Sequence, residues 1–363
     1  MNTLFLKKFD GTVGSLLARL CPRPTRGHTS PIRLRRLFLI RPGGIGDAVL
    51  LVPAILALKK LYPDCEVTVL AERRNGAAFA LCSEVSQVLL YDRPRQLLHA
   101  MRRQYDVVID AEQWHRLSAV VARLIRSELK IGFATNERKR LFNVAVPYAH
   151  ADYEANSFLR LLEPLGIQNQ EVEYPFLEVP EYIERQAEKK LEPLACQDFV
   201  AIFPGASIPE RRWGVAKFHG MAKWLNGHGL SVVVVGGGQD REAGEAILAG
   251  CQGLNLAGST SLAETAAVLQ RSSLLVTGDS GVLHLAVGLD VPTVSLFGPG
   301  IADKWAPRGE KHIVLNKNLP CSPCTRFGYT PPCPEGGRCI QEISVEEVAA
   351  AVSVLLEQLA TSN

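Results

Sequence analysis

The chain has no apolar run long enough to cross a bilayer. Its longest, Ala48 to Leu58, falls well short of the ~18 residues a spanning helix needs and contains Pro53. An excess of charge of either sign is also lacking. The net charge is +3, so non-specific nucleic-acid binding is not expected, and any anionic partner has to be met by a local patch. No Gly-Lys-Ser/Thr follows the glycine-rich turn Arg41 to Asp47, which excludes a P-loop, and the third glycine of a dinucleotide fingerprint would fall at Val49. A signal peptide fits poorly, because Asp10 and Gly11 interrupt the first apolar segment and no small-residue cleavage site follows. What is present is 363 residues, 47% of them hydrophobic and 21% charged, enough for large cores and more consistent with two domains than one.

Residues 1–36 form a basic N-terminal extension. Leu4, Phe5, Phe9, Val13, Leu16, Leu17 and Leu20 recur at spacings that line one side of a helix, among Lys7, Lys8, Arg19, Arg23, Arg26, Arg33, Arg35 and Arg36. Two readings are open: an interfacial foot on an anionic membrane, or a segment packed on the body or trailing as a tail.

From Arg36 onward, short aliphatic runs alternate with longer amphipathic stretches, the rhythm of a parallel sheet covered by helices. Strands are expected at Leu37 to Arg41, Glu66 to Leu70, Val85 to Tyr91 and Asp106 to Ala111. In the second half they are expected at Phe199 to Phe203, Ser231 to Val235, Leu254 to Ala257, Leu274 to Thr277 and Thr293 to Phe297. Both halves open with a strand, Pro-Gly, a polar loop and a helix, so the expectation is two similar α/β domains, residues 37–178 and 179–343, followed by a packed helix in 344–363. Ligands of such sheets bind beyond the strand carboxyl ends, so donor and acceptor are expected to share a cleft between facing domains.

Three loops carry chemistry. In Arg41-Pro-Gly-Gly-Ile-Gly-Asp47, Gly44 and Gly46 let the backbone approach an anion, while Asp47 either caps the helix or takes a proton from an acceptor hydroxyl. In Pro204-Gly-Ala-Ser207 to Trp213, Ser207 and the guanidiniums of Arg211 and Arg212 suit a pyrophosphate; a solvated loop is the alternative. Thr277-Gly-Asp-Ser-Gly281 follows an apolar strand and opens a helix, with His284 one turn on. It either presents amides to phosphate, or Asp279 and Ser280 merely cap and His284 is interior. Asp240 and Glu242 follow another strand and suit ribose hydroxyls, with an N-cap the plainer role for Asp240.

Cys21, Cys65, Cys82, Cys196 and Cys251 sit among hydrophobic neighbours and read as buried thiols in a reducing compartment. Cys321, Cys324, Cys333 and Cys339 make C-x2-C-x8-C-x5-C in a Pro- and Gly-rich loop. They suit a structural zinc or iron, with two disulfides or four free thiols as the alternatives.

Taken in order, Arg-Pro-Gly-Gly-Ile-Gly-Asp47, Pro-Gly-Ala-Ser207 with Arg-Arg-Trp213, Gly-Asp-Ser-Gly281 with His284, and Val-Pro-Thr-Val-Ser-Leu-Phe-Gly-Pro299 resemble the ADP-heptose:lipopolysaccharide heptosyltransferase family over roughly Leu37 to Val348. The resemblance implies a GT-B fold of two Rossmann-like domains and an inverting, metal-independent transfer of heptose from ADP-heptose to a lipopolysaccharide inner-core acceptor, with Asp47 as general base. It places the donor on Ser207, Arg211, Asp279, Ser280, Gly281 and His284, with a ribose contact at Asp240 or Glu242 and adenine beside Leu256 and Gly258. Ser280 stands where the family often has Thr, and Arg211 where it often has Lys. The acceptor, lipid A with its inner core, is expected on the first domain at Arg116 and the basic loop Arg138, Lys139 and Arg140, a triplet that otherwise reads as a solvated charge run. A cytoplasmic protein, peripheral at the inner membrane face, follows from this likeness. A protein heptosyltransferase, a nucleotide-sugar hydrolase or epimerase on the same fold, and a scaffold organised by the cysteines are the other readings.

Overall fold

The computed structural model describes residues 9–24, 33–195, 197–326 and 329–362; Leu4, Phe5, Lys7, Lys8, Arg26 and Cys196 lie outside them. The chain divides into two compact units, Met1–Glu173 and Tyr174–Asn363.

The first unit is built on β1 (Arg36–Ile40), β2 (Glu66–Ala71), β3 (Gln87–Leu90), β4 (Gln104–Asp110), β5 (Arg126–Phe133) and β6 (Val144–Val146), all parallel, in the order β3-β2-β1-β4-β5-β6. Its central strands β1 and β2 are buried on both faces because helices cover both. On one side Leu37 and Leu39 meet Leu51, Ile55 and Leu58 of the helix Ile45–Leu61, and Phe158 of Glu154–Arg160. On the other, Phe38 and Ile40 pack with Ala119 and Ala122 of Arg116–Leu124, Ala100 of Pro94–Arg102 and Ala18 of Ser15–Leu20. The long apolar run of the sequence is therefore a buried core helix, and among the described residues no helix is long and apolar enough to cross a membrane.

The described part of the basic extension is docked on this unit. It winds as a π-helix over Asp10–Gly14 and as an α-helix over Ser15–Leu20. Asp10 is 4% exposed, and its carboxylate accepts hydrogen bonds from the amides of Arg116 and Leu117, both at 2.8 Å, at the start of Arg116–Leu124. A helix start lacks internal acceptors and carries partial positive charge, so a carboxylate from elsewhere in the chain caps it. Burial alone would raise the pKa of Asp10, but His115 and the two amides outweigh it and hold the group below the ordinary range.

The second unit repeats the plan with β7 (Phe199–Phe203), β8 (Ser231–Val234), β9 (Gly253–Asn255), β10 (Leu274–Gly278), β11 (Thr293–Phe297) and β12 (His312–Asn316), parallel in the order β12-β11-β10-β7-β8-β9. Val200, Ile202, Val232 and Val234 pack on Phe218, Met221 and Leu225 of the helix Val215–Gly227. Val348, Val352 and Leu355 of the last helix, Val345–Ser362, complete that core. Tyr174 to Leu177 join this unit because the amides of Phe176 and Leu177 both donate to Gly288 O, at 2.8 and 2.9 Å. Each sheet thus has the doubly wound order of a Rossmann fold, and the winding reverses between β1 and β4 and between β7 and β10, where such folds bind ligands beyond the strand ends.

Candidate active site

At the first reversal the chain leaves β1 through Arg41-Pro-Gly-Gly and enters the helix Ile45–Leu61. Arg41 is 2% exposed and is wrapped by acceptors: Asp47 Oδ1 at 2.6 Å, Glu112 Oε2 at 3.4 Å, Ala111 O at 2.8 Å and Gln113 Oε1 at 3.1 Å. Burial works against its charge, but Asp47, Glu112 and Glu154 outweigh burial and raise its pKa. Gln113 gives its carbonyl to Arg41, so its amide nitrogen faces Asp47 Oδ1 at 3.3 Å and the buried Glu154. Glu154 also accepts from Tyr148 Oη at 3.0 Å; burial first, and Glu154 second, push that phenol's pKa upward. Asp47 Oδ1 is therefore committed, while among the described residues Oδ2 accepts only a long 3.3 Å bond from the Gly44 amide. The glycines are needed at this turn, since Gly43 has φ +124° and a Cβ on Gly44 would lie 3.0 Å from Asp47 Oδ2. Asp47 thus caps its helix and also keeps one oxygen, on a side chain 22% exposed, available for a ligand.

At the second reversal, β10 leads into Asp279 and Ser280. Ser280 Oγ accepts from the Leu283 amide at 3.2 Å as N-cap of the helix Gly281–Gly288, and Thr277 Oγ1 donates to Phe203 O at the end of β7. Asp279 does not cap. It is 5% exposed and pairs with Arg211 at 3.1 Å, which brings the loops after β7 and β10 together. A Cβ on Gly300 would collide with this carboxylate. The N–H groups of Gly281 and Val282 have no intrahelical acceptor by position, so the turn is suited to an anion. His284 is 3% exposed and lies edge-on to Trp305, 6.2 Å between ring centres.

Farther along the strand ends, Asp240 accepts from the Gly237 amide at 2.9 Å and is 6% exposed, while Glu242 is exposed. Gly258, at φ +73°, donates to Gly236 O at 2.9 Å, which sets the loop of Leu256 against the Asp240 turn. Arg212 points to solvent, apart from the Arg211–Asp279 pair. Ser207 is exposed in the loop after β7.

The acceptor residues expected from sequence separate. Arg138 is no surface cation: it is fully buried, 2.6 Å from the fully buried Asp110, and also donates to Glu112 O. Arg116 is 14% exposed and engages Glu137 at 2.8 Å. Lys139 is exposed and Arg140 partly so.

The model of glycosyltransferase family 9 (heptosyltransferase) matches residues 94–331. The chain belongs to this family. Lipopolysaccharide heptosyltransferase 2 of Salmonella typhimurium is 27% identical over 321 residues, covering 77% of this chain and 87% of that protein. Among solved structures, the family 9 glycosyltransferase of Veillonella parvula has a TM-score of 0.78 at 20% identity, covering 92% of this chain and 100% of that one. The E. coli ADP-heptose lps heptosyltransferase II has a TM-score of 0.73 at 23% identity, covering 90% and 99%. The fold of this glycosyltransferase is accordingly GT-B.

Cys321, Cys324, Cys333 and Cys339 of the glycosyltransferase are free thiols. Burial and then the neighbouring sulfurs raise the pKa of Cys324 and Cys339, and the Gly337 amide donates to Cys333 Sγ at 3.3 Å. As described they do not form a metal cage: among the described residues, no three His, Cys, Asp or Glu are grouped to hold an ion. The residues not anticipated from the sequence are Glu112 and Gln113, which the pairing of β1 with β4 brings to Arg41 and Asp47, and Glu154, which joins them through Gln113. Arg41 itself could have been singled out, as a cation at a strand end directly before two glycines.

Proposed function

We propose that this glycosyltransferase moves heptose from ADP-heptose to a lipopolysaccharide inner-core acceptor, with inversion and with no metal in the chemical step. The observation that carries the reading is Asp47: a carboxylate at a reversal of winding, one oxygen fixed by Arg41 and Gln113 and the other holding a long bond from the Gly44 amide. Asp47 Oδ2 takes the proton of the acceptor hydroxyl as that oxygen bonds to the anomeric carbon. The bond from the anomeric carbon to the diphosphate oxygen breaks, and ADP leaves with the electron pair. Arg211, Ser207 and the amides at Gly281 offset the charge that gathers on the diphosphate. Asp279, Ser280 and His284 shape the pyrophosphate and sugar pocket, Asp240 or Glu242 meets the ribose, and Leu256 and Gly258 border the adenine. Lys139 and Arg140 provide the acceptor-side cations, Arg138 being spent inside the core.

The names of the relatives support heptose and lipopolysaccharide. In this reading residues 37–178 serve the acceptor, residues 179–343 serve the donor, and the protein works at the cytoplasmic face of the inner membrane. Closure of the four thiols about a structural zinc or iron is a separate part of the proposal, supported by the C-x2-C spacing. Elemental analysis of protein purified without chelator decides it, with about one ion per chain expected. The reaction is tested by incubating the protein with a panel of nucleotide sugars and truncated lipopolysaccharides and following products by mass. A heptose increment from ADP-heptose alone is expected. Hydrolysis or epimerisation without transfer would replace this reading with the alternative activity on the same fold.

A further inference from the structure

The helices Ser15–Leu20, Pro94–Arg102 and Arg116–Leu124 share one face of the first sheet, so their outward side chains form one surface. That surface is unusual in two respects. It exposes large apolar side chains: Leu16 at 58%, Leu20 at 70%, Leu98 at 47% and Leu124 at 53%. Single exposed leucines are ordinary; a set on one helical layer is not. The charge on its three helices is also of one sign. Arg93 to Arg103 holds four arginines and no acid, and the helix Arg116–Leu124 holds no acid either. The acidic groups of the docked segment and its neighbours are consumed internally: Asp10 caps Arg116–Leu124, and Glu137 is held by Arg116 at 2.8 Å and Arg19 at 3.0 Å. These two arginines pull the pKa of Glu137 down to about 2, so it stays ionised and paired.

We propose that this composite surface, and not the N-terminal extension alone, is where the protein lies on an anionic lipid bilayer. The proposal rests on the peripheral-membrane reading above and adds which face meets the lipid. Exposed leucines interspersed with arginines, on three helices that hold no acid, match the acyl–headgroup boundary of an anionic leaflet, where apolar side chains insert and cations meet phosphate. Asp10 ties the docked segment to the rest of the unit, because its carboxylate bonds to the first turn that follows the Gln113 to His115 loop, and Gln113 touches Asp47. Lipid contact at Leu16 and Leu20 therefore orients the loop next to the candidate base.

The test is flotation of the full chain with vesicles of phosphatidylcholine alone, or of phosphatidylcholine with one part in about three of phosphatidylglycerol. Binding to the anionic vesicles, weakening with salt, is expected. Each arginine is worth roughly fivefold, so Arg95→Ser with Arg102→Ser lowers vesicle affinity by about 25-fold. Leu16→Ser with Leu20→Ser lowers it by at least about tenfold. Val215→Ser with Val354→Ser, exposed positions of the second unit, leaves it unchanged. Equal binding to neutral vesicles, no vesicle binding, or equal loss in the second-unit variant overturns the proposal. So does self-association that disappears with the same leucine changes, which would assign the face to a second copy of the chain. Transfer to a lipid-free acceptor fragment is measured in parallel. It is expected to survive in all three variants, and its absence from the wild type would sink the heptosyl reading while leaving the vesicle result standing.

Discussion

Arg41 and Arg138 are two guanidiniums with almost no contact with water, and each neutralises a carboxylate that would otherwise be stranded in the core. Burial raises the pKa of Asp110 beyond what Arg138 can offset, whereas the pKa of Glu112 is lowered because Arg41, His115 and Arg138 together outweigh its burial. Removing one partner of such a pair leaves an uncompensated buried charge. Arg138→Met should cost about 3–5 kcal/mol in urea unfolding, while Arg138→Met with Asp110→Leu should recover most of that loss. The triplet Arg138-Lys139-Arg140 shows why the sequence misleads here. Three adjacent cations look solvated, and the carboxylate that buries the first lies 28 residues away, at the end of β4. Gly300 offers a test of the proposed donor site. Gly300→Ala forces the Asp279 carboxylate to move, so calorimetric ADP affinity should fall by about tenfold at intact fold, as expected for an overpacked contact of 1–3 kcal/mol.

Elements were legible where a strand is buried on both faces. Phe199 to Phe203 and Thr293 to Phe297 are strands over the whole expected span, and β1 is displaced by one residue from Leu37 to Arg41. Three strands were not anticipated. β5 contains Glu128 and Lys130 and so lacks an apolar run, β6 is only three residues long, and β12 is an edge strand with no fully buried residue. Lys130 is tolerated because Ser127 Oγ accepts from its ammonium at 2.8 Å, a contact no periodicity reports. β12 brings a pH dependence. Burial pushes His312 down to about 4, against 6.5 when unfolded. The unfolded chain therefore takes up a proton that the folded one refuses, so stability is full above pH 6.5 and falls as pH drops towards 4. Urea midpoints for His312→Asn should lose that part of the slope. The cap of the helix Gly281–Gly288 has its own signature: Ser280→Ala should lower stability by about 1 kcal/mol, with Ser280→Thr restoring most of it.

At the scale of the whole molecule, the twice-repeated strand, Pro-Gly, loop and helix already pointed to two Rossmann-like units, and each unit has the doubly wound order. Local motifs placed Asp47, Arg211 and Asp279 beside strand ends, but the company they keep depends on which strands are neighbours. β1 beside β4 gives Asp47 its Gln113, and β10 beside β7 gives Asp279 its Arg211. In the proposed mechanism Asp47 acts on the acceptor rather than holding the donor. The most direct measurement is heptosyl transfer at saturating ADP-heptose by Asp47→Asn, with ADP affinity measured on the same preparation. Turnover should fall by about 10² to 10⁴ while ADP affinity stays within about twofold. Undiminished turnover, or ADP affinity lost along with it, would contradict the account.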